Sequence, residues 1–415
     1  MTITNYLCDY IFMETAQSSM FSQSGKSTKV DKFIVNGREY PRYINEFWTS
    51  KQRQASSLHE IAYRACFKPQ LPRFFIELLT NPEDIVYDPF SGRGTTPIEA
   101  ALLNRNVIAN DINPLSKILS KPRLNIPEIN ALQDRLSQIE FNNALKANLD
   151  LSMFYHPKTE GEIVSLKTYL SQRLSSRQED KIDSWIRMIA TNRLTGHSSG
   201  FFSVYTLPPN QAVSIKSQIR INQKRNQIPP YRDVKSIILK KSSQLIKGVP
   251  EQTKKRLQDI SKKARFLTKD ARFTDEIGNE EVSLTVTSPP FLDIVQYVED
   301  NWLRCWFNGI DANIISKNIT MSKTIEDWSM VMQQVFIELY RITKPNGWVA
   351  FEVGEIRNGK IKLDEIITPI GTNAGFECEG ILINEQEFTK TANIWGVNNN
   401  DKGTNTNRIV LFQKK

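Results

Sequence analysis

The stretch Glu83–Pro114, EDIVYDPFSGRGTTPIEAALLNRNVIANDINP, decides the fold. Ile85 to Asp88 is a short apolar run that reads as a buried strand entering a glycine-containing turn. TTPIEAALLN reads as a helix, with Thr95 or Thr96 as N-cap and Pro97 in the first turn. Val107 to Asn110 reads as a second strand, ending at Asp111. A strand, a turn, a helix and a strand in so short a stretch imply two parallel strands joined by a crossover, and so an open α/β sheet.

Outward from this unit the chain first departs from the α/β rhythm and then returns to it. Upstream, residues 1–45 read as a polar, partly disordered extension, and Phe47 to Leu79 carries a helical pattern. Residues 46–120 form the first half of the sheet domain. Residues 121–265 break the rhythm with helical stretches rich in Ser, Gln, Lys and Arg, and with the segment GHSSGFFSVYTLPPNQAVS. Residues 266–415 restore it: RFLTKDAR reads as a strand ending at Asp270, and VSLTVTSPPF as a strand entering a double-proline turn. DWSMVMQQVFIELYRIT reads as an amphipathic helix, and GWVAFEVGE and NRIVLFQK as strands. The expected architecture is one open, mostly parallel α/β domain split by a large insertion, with no internal repeat.

Composition sets the outer limits. The 415 residues are 40% hydrophobic and 24% charged, ordinary for a globular chain with a large core. No stretch approaches the roughly 18 apolar residues of a membrane span, and the N-terminus lacks a secretory pattern, so a cytoplasmic location is expected. Cys8, Cys66, Cys305 and Cys378 stand far apart, without CxxC spacing, and are expected as reduced thiols. His59, His156 and His197 form no ligand motif, so no metal is expected. The net charge is +9, yet Gln211 to Arg265 alone holds 15 Lys and Arg against 3 Asp and Glu. That segment carries the whole basic excess, as a polyanion-binding surface would.

Two constellations carry chemistry. In DPFSGRGTT, Gly92 and Gly94 let the backbone pass close to a ligand at the C-terminal edge of the sheet. Asp111, at the end of the next strand, is placed to accept the hydroxyls of a ribose. A dinucleotide site is disfavoured, because Pro97 stands where the third glycine of GxGxxG belongs and Asp88 would repel a pyrophosphate. An acid at Asp88 suits a ligand with a cationic ammonium, such as the methionyl end of S-adenosylmethionine. The second constellation is Thr287-Ser288-Pro289-Pro290-Phe291. Its prolines cannot continue a ladder and make a rigid exit from the sheet. The Ser288 hydroxyl and the Pro289 carbonyl can then face one point as two acceptors, which suits a planar amine with two N–H donors.

Taken together, DPFSGRGTT…AND and TSPPF resemble the DNA amino-methyltransferases, which methylate cytosine N4 or adenine N6. FKPQLP (Phe67 to Pro72) is similar to that family's helical lead-in, KDAR to its third-strand acidic motif, and NRIVLFQK to its closing strand. The resemblance covers roughly 60–120 and 266–415, and implies a Rossmann-like, S-adenosylmethionine-dependent fold. Residues 46–120 would then be the cofactor-binding half, 121–265 the target-recognition region and 266–415 the catalytic half. Serine at the head of the tetrapeptide resembles the cytosine-N4 subgroup, whereas adenine-N6 enzymes usually carry Asp or Asn there. Many cytosine-N4 members place the tetrapeptide before the cofactor motif, and here the cofactor motif comes first.

The resemblance also implies roles. Ser288 and Pro289 would hold the hydrogens of the target amine, Pro290 would stiffen the turn, and Phe291 would stack on a base flipped out of the duplex. The leaving proton would go to Asp293 or to water. Phe67, Asp88, Phe90, Gly92 and Gly94 would line the cofactor pocket, and Thr95 or Thr96 with the helix amides would hold the methionyl carboxylate. Asp111 would take the ribose, Ile112 would pack on the adenine, and Asp270 would accept from its amine. Lys216, Arg220, Lys224, Arg225 and Arg232 would neutralise phosphates of double-stranded DNA. The alternatives are an adenine-N6 enzyme, an RNA amino-methyltransferase and a catalytically dead DNA-binding module. A cognate restriction endonuclease stays an open question.

Overall fold

The computed structural model describes residues 3–9, 11–12, 26–48, 55–63, 66–207, 212–290, 297–318, 324–356, 361–385 and 406–415. Within them, β1 (Lys29–Val35) and β2 (Arg38–Asn45) form a hairpin, followed by α1 (Gln70–Leu79). The strand-turn-helix-strand unit comes next, as β3 (Ile85–Asp88), α2 (Thr95–Leu102) and β4 (Asn106–Asn110). α3 (Leu115–Ser120) closes this half of the sheet domain, and the insertion contributes α4 (Ile129–Gln138), α5 (Pro157–Ser175), α6 (Lys181–Arg193), α7 (Ile215–Arg225), α8 (Val234–Ile246) and α9 (Glu251–Lys263). The remainder is β5 (Arg265–Leu267), β6 (Val282–Thr287), α10 (Tyr297–Asn308), α11 (Ile325–Ile342), β7 (Thr343–Val353), α12 (Leu363–Asn373), β8 (Glu377–Glu385) and β9 (Thr406–Gln413).

These nine strands join one sheet in the order β1-β2-β8-β9-β7-β6-β3-β4-β5; among the described residues the short pairs Ile11–Phe12 with Lys26–Ser27 and Glu355–Ile356 with Ile361–Lys362 lie outside it. The five strands from β7 to β5 run parallel, and β9 lies antiparallel between β7 and β8. From β3 the chain steps outward to β4 and β5, then returns to β6 on the other side of β3. The order therefore reverses between β3 and β6, and the crevice beyond their C-terminal ends is where such sheets bind ligands.

Side chains alternate across the sheet with period two. Val86, Val107, Ala109, Leu284, Val286, Ala350, Leu382, Ile409 and Leu411 point to one face, whose core also takes in α1, α2 and the inserted helices. Tyr87, Ile108, Val349, Phe351, Ile381, Ile383, Val410 and Phe412 point to the other, which α11 and α12 cover. Apolar packing on both faces explains why the central strands read as continuous apolar runs.

Four expectations need correction. Lys29–Asn45 lies in the sheet, not in an extension outside it: β2 pairs with β8 through Ile381 to Asn384, and β1 forms the outer edge. The helix expected from Phe47 starts only at Gln70; the described residues between them hold a single short turn, Ser57–His59. Gly94, in the left-handed region, caps α2, and neither Thr95 nor Thr96 does. The strand expected to end at Asp270 ends at Leu267, where its pairing with Asn110 stops. The insertion is also not detached from the sheet domain. Leu132, Trp185, Ile238 and Leu257 belong to the same core cluster as Val86 and Leu284.

Candidate active site

The strand reversal brings the two constellations together. Val86 and Tyr87 pair in register with Leu284 and Thr285, so Asp88 emerges beside the end of β6. The Thr287 hydroxyl donates to Asp88 Oδ1 (2.6 Å), and the Phe90 N–H donates to the same oxygen (3.1 Å). The residue that opens one motif thus holds the residue that opens the other.

Asp88 and Asp111 are both buried, at 2% and 6% exposed. Asp111 accepts the Gly92 N–H at Oδ2 (2.8 Å) and the Asn113 N–H at Oδ1 (2.9 Å), which folds the glycine turn onto the end of β4. Burial pushes Asp88 up to about 7, opposed by its hydrogen bonds and assisted by the neighbouring Asp111. Burial pushes Asp111 up to about 6 against its two backbone donors. Among the described residues neither carboxylate pairs with a cation. Two buried acids without a counter-charge favour a ligand that brings positive charge.

The two glycines do different work. Gly92 (φ +50°) has room, since the nearest neighbour of an added Cβ would be the Tyr63 ring at 3.7 Å. A Cβ on Gly94 (φ +80°) would meet Ser120 Cβ at 2.5 Å. Gly92 is therefore required by its positive φ alone, whereas Gly94 is needed for packing as well. Beneath the turn, Arg93 donates to the carbonyls of His59 (3.3 Å) and Ile61 (2.9 Å). Fully buried Arg123 donates to Leu58 O (2.9 Å) and to the Arg93 carbonyl. Burial, with Arg93 nearby, lowers Arg123 to about 9. The two guanidinium groups hold the lead-in segment against the turn.

Thr95 and Thr96 are buried and engaged. Thr96 Oγ1 donates to Val286 O (3.0 Å), and Thr95 Oγ1 accepts from Arg93 Nε (3.3 Å). No side chain caps the N-terminus of α2, so its first amides are left for an anion. Phe67, Phe90 and Ile112 are half-buried. Asp270 stands three residues past β5, held by Arg272 through Nε (3.0 Å) and Nη2 (2.6 Å). This salt bridge competes with the adenine contact expected of it. The Asn110 side chain ties the loops together, donating to Lys269 O (3.0 Å) and Pro89 O (3.3 Å). Residue patterns alone give no sign of what Asn110, Tyr63 or Arg93 do, because each role depends on a partner distant in sequence.

The tetrapeptide begins where β6 ends. Ser288 is half-buried, Pro289 buried and Pro290 exposed, while Phe291 and Asp293 lie outside the described residues. Trp328 Nε1, on α11, donates to the Pro290 carbonyl (3.1 Å). Among the described residues no donor is paired with the Pro289 carbonyl. The turn is therefore anchored at Thr287 and at Pro290, with an open acceptor between the anchors.

The basic block divides in two. On α7, Lys216, Arg220, Lys224 and Arg225 are exposed and pair with no acid among the described residues. Arg225 lies 3.8 Å over the Tyr205 ring, and Gln218 and Gln227 bond the Tyr205 carbonyl (3.0 and 2.9 Å). Before α7, the Val213 carbonyl accepts from Trp302 of α10, the helix that follows the tetrapeptide (3.2 Å). On α8 and α9 some cations are engaged within the protein, Lys241 pairing with Glu60 (3.2 Å), Lys254 with Glu251 (3.1 Å) and Lys262 with Asp259 (2.7 Å), while Lys240, Lys255 and Lys263 are exposed and pair with no acid among the described residues. Arg256 bonds Leu102 O (2.9 Å). Arg232 is half-buried, where its loop docks on Thr159 (2.8 Å).

A family model described as DNA methylase, N6_N4_Mtase, matches residues 10–119. The Type II methyltransferase M.MvaI of Kocuria varians is 29% identical over 163 residues, which are 38% of this chain and 31% of that protein. M.BsoBI of Geobacillus stearothermophilus is 23% identical over 340 residues, 76% of this chain and 66% of that one. The chain thus spans less than two thirds of the length of these relatives. A TehB-like SAM-dependent methyltransferase from Corynebacterium glutamicum aligns over 83% of this chain and 87% of its own, at 7% identity and a TM-score of 0.29. Residues 10–119, with the strand-turn-helix-strand unit they contain, are thus similar to the N6/N4 DNA methylase family, and they sit in an open, mostly parallel α/β sheet.

Proposed function

We propose that this chain is a site-specific DNA methyltransferase acting on the exocyclic N4 amine of cytosine in double-stranded DNA. One observation carries the proposal. The Ser288–Pro289 acceptors are held by Thr287–Asp88 and Trp328–Pro290, directly beside two buried acids that lack a cation. S-adenosylmethionine, when bound, supplies an electrophilic methyl group on a sulfonium. Asp88 and Asp111 fit its positive end and its ribose, and the absence of a side chain at Gly92 lets the turn pass close to it. The free amides of α2 suit its carboxylate, and Ile112 and Phe90 its adenine.

On the substrate side, the amino lone pair of cytosine is delocalised into the ring, so N4 is a weak nucleophile. Ser288 Oγ and the Pro289 carbonyl, each accepting one amine hydrogen, pyramidalise the nitrogen and aim its lone pair. Such transfer depends on positioning more than on a strong base. The base reaches this turn only by leaving the duplex, and Phe291 is assigned to stack on it. The insertion, through the unpaired cations of α7, is assigned to the DNA backbone. The Type II names of the relatives support a restriction-modification setting with a cognate endonuclease.

Tritiated S-adenosylmethionine offered with unmethylated DNA or with RNA tests the assignment. After digestion, the label is expected in N4-methyldeoxycytidine. Label in N6-methyldeoxyadenosine would move the target to adenine. Label in RNA alone, or none at all, would overturn the DNA methyltransferase reading.

A further inference from the structure

The sequence left the leaving proton without a settled acceptor, and the structure points to a residue that no motif contains. Thr287 pairs in register with Phe351, so the next residues, Ser288 and Glu352, emerge side by side at the C-terminal edge of the sheet. The Ser288 hydroxyl faces the Glu352 carboxylate and favours its charged form. From the strand on the other side, Asn407 Nδ2 donates to Glu352 Oε1 (2.8 Å). A carboxylate therefore stands directly behind the proposed base-binding serine, fixed by an amide from a third strand.

We propose that Glu352 is the positioning residue for Ser288 and the final acceptor of the proton lost from the target amine. The inference rests on the amino-methyltransferase reading above and deepens it. With its own proton directed at Glu352, Ser288 Oγ turns its lone pairs outward, as acceptance from an amine requires. Methyl transfer forms the N–C bond, breaks the S–C bond and leaves the nitrogen cationic with one proton too many. That proton passes to Ser288 Oγ while the serine proton passes to Glu352. The amine regains its lone pair, the serine is restored and Glu352 ends neutral. Water takes the proton once the site opens.

The surroundings suit the role. Burial raises Glu352 above the ordinary carboxylate range, opposed by the bonds from Ser288 and Asn407. These two neutral groups face it from the flanking strands. Arg408 pairs with Val353 and points to the opposite face of the sheet, where it meets Asp364 (3.2 Å).

The test is single-turnover methylation of unmethylated DNA at saturating S-adenosylmethionine, as a function of pH. Saturation removes the titration of Asp88 and Asp111 in cofactor binding from the measured rate. Glu352→Gln keeps the size and the hydrogen bonds but cannot take a proton. The wild-type rate constant is expected to rise with pH as Glu352 ionises; in the variant it should fall about 100-fold and lose that rise, with cofactor affinity unchanged. Glu352→Asp should recover part of the rate and restore the pH-dependent rise. Asn407→Ala removes a donor to the anion and should shift that rise to higher pH. A Glu352→Gln protein with wild-type rate and pH profile overturns the proposal. If that variant fails to bind cofactor, an unshifted profile in Asn407→Ala overturns it equally. A wild-type chain that binds cofactor and methylates no DNA amine instead overturns the proposed function.

Discussion

The strand-end site and helix α7 are opposites in charge and alike in what they lack. Asp88 and Asp111 are buried anions with no cation among the described residues, and Lys216, Arg220, Lys224 and Arg225 are exposed cations with no anion. Helix α9 is the instructive contrast. Its five Lys and Arg match the four of α7, yet Lys254 and Lys262 pair with Glu251 and Asp259 of the same helix, Arg256 caps the end of α2 and Leu257 is fully buried, leaving Lys255 and Lys263 exposed without an acid partner among the described residues. Both helices are basic, but α9 carries two acids of its own and α7 carries none. In this molecule a missing counter-charge marks a surface for a ligand more sharply than a run of charges does.

The largest effect expected from breaking this pairing of sites is at the tetrapeptide. Ser288→Ala removes one acceptor while Thr287 and Pro290 stay anchored. Turnover should fall about 100-fold or more, since the interaction matters most in the transition state. Calorimetry should find cofactor binding nearly intact, and unchanged turnover would reduce Ser288 to a turn residue. Next is Asp111→Ala, which should weaken S-adenosylmethionine binding by about 1–3 kcal/mol by leaving the ribose hydroxyls unpaired. The salt dependence of DNA binding should not move.

The smallest effect sharpens the contrast between the two basic helices. Replacing Lys224 and Arg225 by Ala should flatten the log–log salt dependence of DNA affinity by up to about two units, roughly 0.9 for each phosphate no longer neutralised. Cognate and random DNA should weaken alike, because phosphate contacts position the protein without reading bases. The matched pair on α9, Lys254 and Arg256 to Ala, should leave the slope unchanged and lower the melting temperature slightly. Equal slopes for both variants would erase the distinction between α7 and α9.

How far the chain could be read in advance follows the same physics. Ile85–Asp88 and Val282–Thr287 are apolar runs closed by a glycine turn and by paired prolines, so their ends carry their own signals. The α7 cations were visible as charge, but not as distinct from those of α9. The hairpin Lys29–Asn45 was hidden because it forms the sheet edge. Its strand β1 is mostly exposed, and charged residues such as Lys29, Asp31 and Lys32 disguise a strand as a polar tail. Glu352 and Asn110 lie in legible strands, but their partners are Ser288, Asn407, Pro89 and Lys269. Such roles arise only when the strand order brings distant segments together.

The proton count on cofactor binding tests the central claim most directly. Asp88 at about 7 and Asp111 at about 6 sit above the ordinary carboxylate range, so the free fold loses stability as pH rises toward neutrality. A cationic ligand favours their ionised forms and must expel protons on binding. Calorimetry with S-adenosylmethionine at about pH 6.5, in buffers of different ionisation enthalpy, should report net proton release, and affinity should rise with pH across this range. Proton uptake, or no exchange together with a pH-independent affinity, would contradict the assignment of these two acids to the cofactor.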